Sequence, residues 1–215
     1  MDLAYGRRLD IGVNLAVLVL EGMALFGSWT FHAGIKAFSY YTQWANAAGL
    51  VSAALTLVAY ACFRDGKLDR LVTALRYAAS AMLVMTALVV VFILVPAAYA
   101  VGLDGIKEMF FTSTRIVTHL LGPLLVVFGY AYAWTGPAAV GRDRYLGFVC
   151  TCVYAGFAYS MNIAGVLDGP YPFLRVRILP VWQSVLWFVV LLLISLVTCR
   201  IPGWLTRKDR ESPAS

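Results

Sequence analysis

The sequence predicts an all-α membrane bundle of six transmembrane helices with both termini inside, and three observations lead there. Of the 215 residues, 61% are apolar and 13% charged, too few charges to cover a soluble domain of this size. The charges are bunched, leaving uncharged stretches over 37–63, 77–103, 116–141, 145–167 and 178–199, each able to supply the roughly 20 apolar residues that cross a bilayer. Lys and Arg also alternate along the chain: twelve fall in the inner segments and five in the outer ones when the N-terminus is placed inside.

The first span is the 25-residue stretch 11–35, interrupted only by Glu21. Arg7 and Arg8 ahead of the apolar run Gly12–Leu20 also suit a signal peptide. That reading fails because Glu21 follows the run directly and no small-x-small cleavage site stands out. Spans 2 and 3 follow at 37–63 and 77–103, joined by a link containing Asp65-Gly66. The longer link from Val101 to Thr112 suits an interfacial turn around Met109, Phe110 and Phe111. Span 4 is 116–141, and Gly136-Pro137 marks the turn into span 5 at 145–167. Gly169-Pro170 then leads to span 6 at 178–199, and the basic segment 200–215 forms a cytoplasmic tail that touches anionic headgroups. The chain thus reads as one domain, 1–215, in the cell membrane as a multi-pass protein.

Outside these six stretches only 65 residues remain, which excludes an extramembrane catalytic domain, a nucleotide-binding domain or a DNA-reading module. The partners expected from composition are membrane lipids, with no nucleic acid despite the net charge of +6. Cys62, Cys150, Cys152 and Cys199 all fall toward the inner, reducing side and are expected as packing thiols. Trp29, Trp44 and Trp182 near outer ends, with Trp134 and Trp204 near inner ones, suit an aromatic belt.

The motifs of soluble enzymes are missing, and two histidines, His32 and His119, exclude a three-histidine metal site. No metal or cofactor is expected. A haem held by both histidines is disfavoured because His32 falls at the membrane edge. Polar residues inside spans are costly in lipid and tend to face the bundle interior or a cavity. Here they gather in the outer half: Thr42 and Asn46, Arg115 and His119, Ser160 and Asn162, then Asp168, Tyr171 and Gln183. Thr42 and Asn46 are four apart, as are Arg115, His119 and Pro123 in succession, so each set shares a helical face.

If the faces meet, a hydroxyl lies near an imidazole able to activate it, and Asn46 or Arg115 can stabilise an oxyanion. Asn162 and Tyr171 join them as substrate-binding candidates. The structural alternative has Thr42 bonding the carbonyl of Phe38 and His119 bonding across helices. Arg115 can equally anchor span 4 at the headgroups, and Asp168 can sit in a turn. Glu21 shares a polar stripe with Asn14 and Ser28 and is a candidate proton or cation site.

The run Phe38-Ser39-Tyr40-Tyr41-Thr42 with Asn46, then His119 with Pro123, then Tyr171-Pro172-Phe173-Leu174, resembles a set of uncharacterised bacterial six-helix membrane proteins. These features are also similar to the androgen-induced family of membrane threonine hydrolases, which cleave fatty acid esters of hydroxy fatty acids. The resemblance implies a threonine nucleophile on an early span and a histidine partner on a later one, positions that Thr42 and His119 match. Ala45 departs from the bacterial pattern, which has a small hydroxyl residue there. The competing expectation is a non-catalytic binding or transport protein using Glu21, Asn46 and His119. A transporter needs access from both sides, whereas the apolar inner half predicts a closed floor.

Overall fold

The computed structural model describes residues 3–31, 34–62, 66–167, 169 and 171–206. His32, Asp168 and the tail from 207 onward lie outside the described residues, so the haem, turn and tail expectations are not addressed there. Among the described residues every regular element is helical. The order is α1 (Leu3–Phe31), α2 (Tyr41–Cys62), α3 (Gly66–Val89), α4 (Val95–Ala100), α5 (Gly105–Phe110), α6 (Gly122–Phe128), α7 (Leu146–Ile163), α8 (Val181–Thr198) and α9 (Ile201–Leu205). Five continuous helical runs are long and apolar enough to cross a membrane, and Val117–Ala133 forms a shorter apolar one. The protein is therefore a helical membrane bundle.

Two of these runs are interrupted at proline, for a reason the sequence contains. Proline in a helix lacks an N–H and crowds the carbonyl four residues back. The chain relieves this by widening one turn: Val90–Leu94 and Val117–Leu121 are π-helical, and Pro96 and Pro123 follow them directly in α4 and α6. The second widening sets much of the candidate site. A further π turn, Gly129–Ala133, ends the short span.

The run Asp69–Ala100, built on α3, is the most buried of the candidate spans and contacts α2, α6, α7 and α8. Its Ala78, Ala79, Ser80 and Ala81 are small, and small residues let helices approach without a hydrophobic driving force. At the α7 crossing a Cβ on Gly147 would lie 3.1 Å from the Ala78 carbonyl oxygen, so glycine is what permits that approach. Val17, Ala45, Met82, Leu83, Val126 and Tyr154 fill the common core, whereas Val185, Leu186, Val189, Leu193 and Val197 of α8 point outward as a lipid face does.

At one end, the basic end, Asp10 of α1 and Arg76 of α3 form a buried bidentate ion pair at 2.7 and 2.9 Å. Tyr60 donates to the same carboxylate at 2.7 Å and Asn14 at 3.0 Å, while Arg76 lies 4.8 Å over the Trp134 ring. This corrects two expectations. Arg76 is 3% exposed and bundle-bound, so it leaves the loop count, and the bias becomes eleven against five. Trp134 is 5% exposed and packs on that cation rather than in a lipid-facing belt, whereas Trp29, Trp182 and Trp204 are exposed.

The α1 stripe faces inward over its whole length, with Asp10, Asn14, Glu21 and Ser28 all buried. Glu21 packs against Gly122, where an added Cβ would overlap its carboxyl group. Gly122→Ala is expected to cost about 1–3 kcal/mol by overpacking. The added variant Glu21→Ala should recover most of that loss in a thermal-unfolding double-mutant cycle, because the clash is between these two residues.

Candidate functional site

Several polar residues of the opposite end line one open cavity of about 410 Å³. Its wall takes Ser28 from the end of α1, Thr42 and Gln43 from the start of α2, and Ala97 and Ala98 from α4. It continues through Thr112 to Arg115, Thr118 and His119, and closes with Tyr171 and Pro172. Thr42, Arg115, His119 and Tyr171 therefore line one cavity, although three separate segments supply them.

Thr42 is the second residue of α2 and its side chain is 6% exposed. The bond to the Phe38 carbonyl that a structural threonine would make is not formed, and that carbonyl accepts instead from the Trp44 indole at 2.7 Å. The Thr42 hydroxyl instead lies 3.4 Å from the Tyr171 hydroxyl. Tyr171 is held by stacking on Phe173 at 5.1 Å and by an edge contact with Tyr40 at 5.8 Å. Burial pushes the Tyr171 phenol above its ordinary value, so at neutral pH it keeps its proton and can donate.

His119 sits in the π turn Val117–Leu121. Its Nδ1 lies 2.6 Å from the Met109 carbonyl, which can only accept, so Nδ1 carries the proton and neutral Nε2 is left as the basic nitrogen. The carbonyl comes from α5, the helix that stands where an interfacial turn was expected around Met109. Asp104 caps it, accepting from the Lys107 N–H at 3.1 Å. Phe110 packs edge-on against the imidazole with centroids 6.5 Å apart. Thr42 and His119 face one cavity without a direct hydrogen bond among the described residues.

Arg115 is partly exposed at the rim, donating to the Glu108 backbone carbonyl and lying 3.4 Å from its carboxylate. An exposed pair of this kind contributes little stability, so the guanidinium can turn toward an anionic or carbonyl ligand at small cost.

Asn46 does not take the role its spacing suggested. Gly122 donates to Val117 through the π turn, and the next carbonyl in that register, Thr118, faces Pro123, which has no N–H. Asn46 supplies the missing donor at 3.2 Å and gives its other N–H to the Thr42 carbonyl at 2.8 Å. Both protons are committed, so Asn46 has no donor left for an oxyanion, and it does not line the cavity. Asn162 in α7 and Glu21 in α1 are both buried away from the cavity wall, and the two carboxyl oxygens of Glu21 have no partner among the described residues.

Several lining residues were not anticipated, Gln43 and Ser113 among them. Gln43 is buried with its side-chain oxygen unpartnered among the described residues, and Ser113 holds a left-handed backbone at φ 56°. The first lay in plain sight beside Thr42. The second has no signal in sequence, since nothing about Ser-Thr-Arg requires that conformation.

A second, narrow and mostly apolar slot of about 50 Å³ adjoins the cavity, sharing Thr42, Leu94 and Tyr171 with it. It runs between Met85, Tyr154, Phe173 and Leu191. The Thr42–Tyr171 pair thus stands where polar and apolar spaces meet. Compared with known proteins, the chain matches no family model, no curated sequence and no solved structure.

Proposed function

We propose that the protein is a multi-pass cell-membrane hydrolase of lipid or fatty acid esters, with Thr42 as nucleophile and His119 as general base. Its six spans then place both termini inside and the cavity in the outer half of the bilayer. The observation that carries this reading is that Thr42 and His119, from separate helices, line the same cavity, with the histidine tautomer fixed so that Nε2 is the basic atom. The remote similarity to membrane threonine hydrolases points the same way.

In the proposed reaction the Thr42 oxygen attacks the ester carbonyl carbon while its proton passes to His119 Nε2. The tetrahedral oxyanion collapses, the C–O bond to the alcohol breaks, and His119 returns the proton to the departing alcohol. Water then attacks the acyl-threonine by the same route and frees the acid. Tyr171, as a neutral phenol, replaces Asn46 as the oxyanion donor, and Arg115 at the rim holds the polar part of the substrate. The apolar slot accepts the first methylenes of an acyl chain, its full length requiring the slot's side chains to part.

The test is release of fatty acid from long-chain esters by the purified protein, followed with Tyr171→Phe. That variant is expected to lower kcat about 10²-fold with little change in KM, since it removes one donor of the transition state and no bulk. No ester release above a boiled control would sink the reading. A non-catalytic binding or transport role is the second reading, favoured by the partnerless buried carboxyl of Glu21.

A further inference from the structure

The basic end carries a second cavity, of about 500 Å³, which the hydrolase reading does not use. Tyr77 and Cys199 form its floor, tied together by a hydrogen bond from the tyrosine hydroxyl to the cysteine carbonyl. Its walls are Arg144, Tyr145, Arg200 and Trp204. We propose that this cavity binds the phosphate headgroup of an anionic phospholipid.

Three features converge on that ligand. Two guanidiniums border one cavity, and a guanidinium fork matches phosphate oxygens in charge and in geometry. The Arg144 Nε donates to the Ala139 carbonyl at 3.0 Å, which anchors its guanidinium beside the cavity. Arg200 is exposed where α8 gives way to α9 and has no side-chain partner among the described residues.

The rings beside these charges fit a membrane surface better than a free anion. Trp204 is 63% and Tyr145 43% exposed, and amphipathic rings of this kind settle at headgroup level. The cavity sits where the apolar helix α8 ends, and the exposed Leu193 and Val197 continue from there as a surface for acyl chains. A phosphate in the cavity and its chains along α8 would be one lipid in the leaflet on the basic side, where paired basic residues between spans favour anionic headgroups. Asp143, one residue from Arg144, does not line the cavity.

Thermal unfolding of the full-length protein in detergent tests this with three additions: phosphatidylglycerol, phosphatidylcholine and inorganic phosphate. Phosphatidylglycerol is expected to raise Tm above the phosphatidylcholine value, as a ligand that binds only the folded state must. Arg200→Gln, at an exposed position, should erase that difference without lowering Tm in the absence of lipid. Arg144→Gln should erase it too, and Arg200→Gln decides alone if the loss of the Ala139 bond unfolds that variant. Equal shifts from both lipids, or a difference that survives in Arg200→Gln, would overturn the proposal. An equal rise from inorganic phosphate alone would also overturn it, by showing a free-anion site.

Discussion

Thr42→Ala is expected to reduce ester hydrolysis by the purified protein to background, and His119→Ala to reduce it by about 10²–10⁴-fold, the range a general base supplies. Combining them should cost little more than the worse single change, because nucleophile and base act as one unit. Thr42→Ser retains the hydroxyl and should retain measurable activity. Each variant must keep its thermal transition, which the environment of Thr42 allows: among the described residues its hydroxyl makes one long hydrogen bond, to Tyr171. Fatty acid release measured for all four proteins is the check. Undiminished release by Thr42→Ala would remove that residue from the chemistry.

Arg76→Ala is expected to be the most damaging substitution for the fold, lowering stability by about 3–5 kcal/mol. It strands the Asp10 carboxylate, which is fully buried and takes two of its bonds from Arg76, and it removes the cation from over Trp134. Replacing both members with apolar residues, as in Asp10→Leu with Arg76→Met, should cost far less than either truncation alone, since no unpaired charge is left behind. Chemical denaturation in mild detergent, with the two single variants and the double, gives the comparison. If Arg76→Ala alone were near neutral, the pair would not be holding α1 to α3.

These two cases also divide what the sequence reveals from what it hides. The spans are legible because charge runs interrupt apolar stretches, and the cavity is legible in part, since of the polar residues expected at one depth Thr42, Arg115, His119 and Tyr171 line it and Asn46, Ser160, Asn162 and Gln183 do not. The π turn that carries His119 is not legible from Pro123, because a missing N–H requires the helix to adjust without saying how. Arg76 was misread as a loop charge because it stands one residue before an uncharged stretch, and nothing local reveals that Asp10, 66 residues away, meets it. Asn46 was misassigned for a similar reason. Its spacing from Thr42 is right for a shared face, but the Thr118 carbonyl it serves is orphaned on another helix. A helical period reports which face a residue occupies, whereas the partner on that face is set by packing.

The most direct test of the central claim is to treat the full-length protein with a fluorophosphonate probe and map the adduct by peptide mass spectrometry. The account predicts one phosphonyl group on the peptide containing Thr42, absent in Thr42→Ala and strongly slowed in His119→Ala. An adduct on another residue, or none on protein that is folded, would contradict it.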